Sequence, residues 1–450
     1  MGTEVAKAFA EFAVRTKLED IPAPTIEFVK GLMLKTVAGM LVGSAMPVGK
    51  LVHKAAKERK HPPEVGVIGG GYKTSLWNAV LNDGIFAHAA ELEDDSFMRG
   101  TAWDITTFPV YFPLAEKMKL DGKGLLEICA VGLEVHSRST LFFPQGHLGL
   151  TVIPGAMGPA AGVAKALGLN VEQTMAAMGL AMSAVPVSYV SFGTDAHYTE
   201  TALQCFQALL AGELAQKGLV SNPDIVAYMT NLIGKERVIP EKFTENLGRK
   251  WRVHDIWIKK YPCCFHMHRY LDAFWELIGE EDLSYDQVKK IDVHISKVEE
   301  VCNRPDPKTI GDLQFSFQNA MSAMLLDRDV NFSHVAEDKI SDSRYKQART
   351  KVGVIFHPEW APRYSMETPA IVEVTLGDGR KFTRERMHTI GSPKEPLPKE
   401  RFRALFLKFT KGAMAKNKLE WTADALAHIE ILDRKGMAEL NDILVFGRKA

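Results

Sequence analysis

The chain has 450 residues, with 55 Lys plus Arg against 55 Asp plus Glu, so its formal net charge is zero. That balance argues against a nucleic-acid partner, which calls for a basic field. No apolar run reaches the roughly 18 residues of a membrane-spanning helix. The length suggests about two or three domains and ample core. Glu4 stands early in an N-terminal stretch that lacks a continuous apolar run, so no secretory signal is expected. Met1-Gly2 opens like a myristoylation site, but Ala6 departs from that pattern. Cys129, Cys205, Cys263, Cys264 and Cys302 are an odd, sparse set. They suit buried thiols in a cytoplasmic protein better than a disulfide framework, and no second pair joins Cys263-Cys264 to complete a zinc site.

From about Thr3 to Leu219 the pattern is helical. "TIEFVKGLMLKTVAGMLVGSAM" repeats apolar residues at i, i+3, i+4 and i+7. "GVIGGGYKT" lacks the spacing of a nucleotide-binding loop and is expected to be flexible. "GAMGPAAGVAKALGLNVEQTMAAMGLAMSA" predicts two helices buried on all sides, broken at "LGLN" and restarted by "NVEQ". "TALQCFQALLAGELAQKGL" predicts another helix. After about Tyr270 the texture changes. "KKIDVHISKVEEV" alternates like a strand, and "PAIVEVTLGDGRKFTRERM" reads as a hairpin turning at Asp378-Gly379. "SFQNAMSAMLLDRDV" and "SDSRYKQARTKV" look helical. "GSPKEPLPKE" is a connector, and the tail returns to helix. The expected fold is mainly α: a large all-helical domain with a smaller inserted α+β lid domain. The boundaries fall at 1–268 for the first helical part, 269–398 for the lid, and 399–450 for the C-terminal helical part.

The stretch "AHAAELEDDSFMRG" concentrates His88, Glu91, Glu93, Asp94 and Asp95 directly after an apolar run. On a helix, His88, Glu91 and Asp95 would share one face. Like charges this close repel, so the cluster would hold a cationic group or raise one pKa for proton transfer. A divalent-metal site is a further reading, although the oxygen spacing of an EF-hand loop is missing. The bland alternative is an acidic helix end favouring the helix dipole. His147, His197 and His268 each lie where a loop enters a helix, the kind of junction that converges on clefts. His136, His254 and His357 lack that context and read as structural.

Taken in order, "NDGIFAHAAELEDDS", "GAMGPAAGVAKALGL", "KKYPCC" with its following His and Asp-Ala, "QFSFQNA" and "VEVTLGDGR…GSPKEPL" resemble the 2-methylcitrate dehydratase (MmgE/PrpD) family. That family also contains cis-aconitate decarboxylase and iminodisuccinate epimerase, and the likeness runs from about residue 5 to residue 440. The resemblance implies a helical domain with an inserted lid, usually in a homodimer, and chemistry on a small carboxylic acid without metal or organic cofactor. A proton is removed from, or returned to, carbon beside a carboxylate. Residue by residue, Glu91 matches the family's acid, with His88 opening and Asp94 closing that run. Lys259 matches the lysine of the "K-P-Y-P" turn, as a carboxylate anchor, and His268 the histidine that starts the next helix.

The departures have a direction. Asp95 stands where the acidic run often ends in Thr, and "GTAWDITTFP" lacks the usual His-Pro segment. "A-H-Y-T-E" replaces "T-K-x-x-H", which puts His197 at the lysine and Glu200 at the histidine. Asn319 replaces a tyrosine. Gly149 occupies a common histidine position, with His147 two residues away. Cys264 stands where one branch has His. A fixed cation is lost and acids are gained, so the expected substrate carries fewer carboxylates than citrate-type acids, or carries an amine. His197 and His147 are the expected acid/base pair, with His268, Lys259 and Glu91 in support and Asp94, Asp95, Cys264 and His88 shaping the pocket. The leading expectation is a hydro-lyase. A decarboxylase or epimerase of the same family is the alternative, and a non-catalytic small-molecule binder is the rival from another class.

Overall fold

A computed structural model describes residues 2–96, 101–139, 156–182, 192–235, 238–360 and 368–447. The chain is mainly helical, and its contacts divide it into two compact units. One comprises Met1–Val190, Ala196–Trp257 and Pro398–Ala450; the other comprises Ser191–Asp195 and Ile258–Leu397.

In the first unit, the helix Ala23–Gly43 is buried along most of its length, lysines included. Its hydrophobic residues fall on every side because neighbours cover it all round. A side chain at Gly43 would stand 1.9 Å from Phe86 O, so only glycine lets the helix Leu76–Ala89 come this close. The C-terminal helices Lys399–Phe409, Lys416–Ala427 and Arg434–Phe446 complete this unit. Among the described residues no single helix is long and apolar enough to cross a membrane.

The helix pair forms as Met157–Ala166 and Val171–Ala181. Asn170 Oδ1 accepts from Gln173 N, and the Gln173 side chain accepts from Asn170 N, so the predicted restart is a capping box. All-round burial holds for the first helix only. The second leaves Glu172 exposed and Gln173 half-buried, as their polar side chains require. The glycine-rich stretch, expected to be flexible, is a tight hairpin pairing Val65–Gly66 with Lys73–Thr74. Gly69 N and Gly71 N donate to Leu444 O and Val445 O at 2.8 and 2.9 Å, which ties the turn to the last helix.

The second unit is built on a four-stranded sheet in the order Val352–Phe356, Val288–Ile295, Ala370–Leu376, Lys381–Arg386. The first pair is parallel and the others are antiparallel. Along Ala370–Leu376 the residues alternate buried and half-buried, the period-two signature of a strand with one covered face. Ala370, Val372, Val374 and Leu376 share a core with Leu271, Phe274, Met321 and Met324 from the helices His268–Glu280 and Phe317–Asp327. The hairpin turns at Gly379 with φ +92°, as Asp378-Gly379 predicts. Val352–Phe356 is a strand where a helical pattern was expected to run on through Val352; the helix ends at Arg349.

Candidate active site

The acidic run does not continue the helix. Leu76–Ala89 ends one residue past His88, and Glu91 turns the chain with φ +50°, its N–H donating to His88 O at 2.9 Å. A glutamate in this left-handed region is uncommon. The shared helical face expected for His88, Glu91 and Asp95 is therefore not formed. Asp95–Ser96 pairs instead with Thr101–Ala102, and Asp95 exchanges backbone hydrogen bonds with Trp257.

The turn sends the acids to different partners. Asp94 lies in contact with Lys35 Nζ, both side chains fully buried. Lys35 also donates to Leu92 O at 3.2 Å. Asp104 sits alongside, accepting from Asp94 N and Ile105 N through Oδ1. Burial, and then the neighbouring Asp94 charge, push the Asp104 carboxyl up to about 8, which favours its neutral form. Thr36 Oγ1 stands 3.0 Å from Leu32 O and 2.8 Å from Asp104 Oδ2. The Thr36 hydroxyl donates to Asp104, which partly offsets the upward push on that carboxyl.

Glu91 turns to the histidines. His197 Nε2 is 3.7 Å from Glu91 Oε1, and His197 Nδ1 is 3.1 Å from Glu200 Oε2. The His88 and His197 rings lie 4.2 Å apart between centroids. His88 Nδ1 is 3.0 Å from Thr201 Oγ1. The helix Asp195–Gln216 carries His197, Glu200 and Thr201, which at i, i+3 and i+4 fall on one face. That helix meets the His88 helix at Gly84, where an added Cβ would lie 2.7 Å from Ala202 Cα. The crossing sits one turn from His88, and this close approach brings the two imidazoles together. One donor atom from each of His88, Glu91 and His197 lies within 4.8 Å of the others, and all three residues are buried.

Lys259, Cys264 and His268 belong to the second unit, and His147 lies outside the described residues. Lys259 is only 1 % exposed. His268 stacks on Phe265 with centroids 4.9 Å apart and an interplanar angle of 4°, and its Nε2 is 3.4 Å from Cys263 O. Cys264 N donates to Gln314 O, and its thiol is hydrogen-bonded to that of buried Cys302, both cysteines being free. His266, passed over in the sequence, is buried. Burial and then the charges of Arg269 and Lys259 lower its pKa to about 3. Lys260, also passed over, pairs in contact with Asp272. The same carboxylate accepts from Ile390 N at 2.8 Å and lies 2.5 Å from Thr389 Oγ1.

Two signals in the sequence pointed to the missed groups. Lys35 is a lone cation inside "GLMLKTVAGMLVG", and a cation in a core helix calls for a buried acid. Thr201 stands one helical turn after His197, on the side that meets the neighbouring helix.

Comparison with known proteins places the chain in a family whose members include lyases. The MmgE/PrpD N-terminal domain matches residues 7–233, and the MmgE/PrpD C-terminal domain matches residues 261–428. The chain belongs to the MmgE/PrpD family. It is 24 % identical over 432 residues to a cis-aconitate decarboxylase of Aspergillus terreus, covering 88 % of this chain and 87 % of that one. It is also 25 % identical over 297 residues to the cis-aconitate decarboxylase-like protein oryM of Aspergillus oryzae, covering 61 % of each.

Proposed function

We propose that the protein is a lyase that moves a proton at carbon next to a carboxylate of a small organic acid. The observation that carries this reading is the buried His197 between Glu200 and Glu91. Glu200 at Nδ1 orients the ring and fixes the tautomer that leaves the Nε2 lone pair facing the cluster. His197 Nε2 then takes a proton from the substrate carbon or returns one to it. Glu91 lies 3.7 Å from that Nε2 and the His88 ring 4.2 Å from the His197 ring, so groups able to handle a second proton stand beside the first. The residues move the proton themselves, so the reading invokes no organic cofactor.

Loss of water after proton abstraction is the first reading. Loss of carbon dioxide is the second, favoured by the likeness to a cis-aconitate decarboxylase and a cis-aconitate decarboxylase-like protein. The surplus of carboxylates around His197 selects for a substrate with few carboxylates or with an amine, because each further anion adds repulsion. We also place the working form as a homodimer, which light scattering tests. The function is tested by incubating four- to six-carbon hydroxy, unsaturated and amino acids with the protein in D2O and following them by NMR. Olefin formation supports a dehydratase, and carbon dioxide release supports a decarboxylase. Deuterium exchange with inversion points to an epimerase. Binding without exchange or product across the panel would leave a non-catalytic binder and defeat the proposal.

A further inference from the structure

We infer that His88, Glu91 and His197 form a binding site for a divalent transition-metal ion such as Zn2+ or Co2+. Two imidazoles and one carboxylate are a donor set that such ions take, with further positions left open. The three donor atoms already lie within 4.8 Å of one another, and His197 Nε2 and Glu91 Oε1 within 3.7 Å. Tetrahedral ligands about 2.1 Å from an ion stand about 3.4 Å apart, so side-chain rotations on the order of 1 Å close the set.

The second observation lies behind the rings. A ligating histidine is held through its other nitrogen, which fixes the ring and its tautomer. Here both rings are held that way. His197 Nδ1 is bound to the Glu200 carboxylate, and His88 Nδ1 to the Thr201 hydroxyl. Each Nε2 is thereby assigned as the metal-binding nitrogen. The backbone contributes as well: the left-handed turn at Glu91 brings its carboxylate to His197.

This site goes beyond the lyase reading and limits it. The Nε2 lone pair that would accept a substrate proton is the one that binds the ion. Metal-loaded and proton-transferring states therefore exclude each other, and the ion acts as a reversible blocker.

The test is titration of the full-length chain, stripped with chelator, with Co2+ followed by visible absorption. One equivalent is expected to bind. Glu91→Gln and His197→Ala should each weaken binding at least 100-fold, and Thr201→Val or Glu200→Gln about 10-fold. Circular dichroism identifies any variant that fails to fold, and Thr201→Val, which alters one hydroxyl, keeps the test decisive. Added Zn2+ should abolish turnover and chelator restore it. Absence of Co2+ binding, binding indifferent to these substitutions, or turnover that rises with metal would overturn the proposal. Activity of the chelated protein without metal binding would sink the metal site and leave the lyase; metal binding by a chelated protein inert toward every acid would do the reverse.

Discussion

Lys35 and Asp94 form an ion pair with no exposure on either side chain. Asp94 opens the descent of the acidic run into the core, and Lys35 is the cation waiting there. Burial and the Asp94 charge push the Asp104 carboxyl beside them toward its neutral form, so the Lys35 charge is matched chiefly by Asp94. Removing one partner leaves the other buried without compensation, which costs about 3–5 kcal/mol. Asp94→Asn should lower unfolding stability by that amount, as should Lys35→Met. The double variant Lys35→Met/Asp94→Leu should recover most of it. Denaturation of all three variants beside the parent checks this. A large activity loss in Asp94→Asn at unchanged stability would instead assign Asp94 to the substrate.

His197 and Glu200 make a dyad whose members have separable effects. His197→Ala should lower kcat at least 100-fold while the unfolding midpoint stays within a few degrees. Glu200→Gln should lower kcat about 10-fold, because the imidazole loses the carboxylate that fixes its orientation and tautomer. An unchanged kcat in His197→Ala would remove this residue from the chemistry.

Gly84 sets the spacing of the two histidine-bearing helices. Its replacement by Ala puts a Cβ 2.7 Å from Ala202 Cα and forces the helices apart. Overpacking of this kind costs about 1–3 kcal/mol, and a shift of about 1 Å between His88 and His197 is enough to cost about 100-fold in rate. Gly279→Ala is the control, since nothing stands within 4 Å of its added Cβ. It should keep full activity and gain up to about 1 kcal/mol of helix stability. Equal behaviour of the two variants in kinetics and melting would contradict the spacing role.

The buried histidines and Asp104 predict opposite pH responses. His136 is held at about 3 by burial, well below its free value of 6.5. Between those limits the unfolded chain binds a proton that the folded chain refuses. The stability from this ring is therefore complete above pH 6.5 and is lost as pH falls. Relative to His136→Gln, the parent should lose about 1.4 kcal/mol per pH unit below 6.5. His266, at about 3 for the same first cause, should behave alike. Asp104 is raised from 3.8 to about 8, so its contribution is complete below pH 3.8 and is lost as pH rises toward 8. Relative to Asp104→Asn, the parent should weaken by a similar slope in that window. Unfolding curves at pH 5, 6, 7 and 8 give both slopes.

Periodicity and turn chemistry made much of the secondary structure legible. Ala23–Gly43, the capping box at Asn170, the strand Val288–Ile295 and the hairpin around Gly379 all rest on interactions a few residues apart. The acidic run failed that test. Spacing alone put Glu91 and Asp95 on the face of His88, but the helix ends at Ala89 and each acid goes to a partner remote in the chain. Nothing local distinguishes Asp94, bound for Lys35 59 residues away, from Glu93 beside it. Likewise nothing local separates Lys259 from Lys260, yet it is Lys260 that pairs with Asp272, 12 residues further along.

What the residue order determined by itself was the element sequence and a family resemblance carried by short motifs, because hydrophobic period, capping and turn preferences act within one or two turns of chain. Tertiary structure alone decided which ionisable groups meet. His88 and His197 are neighbours because Gly84 admits Ala202 and Thr201 reaches back across the crossing, and that close approach between remote segments is a matter of packed volume that no local pattern encodes.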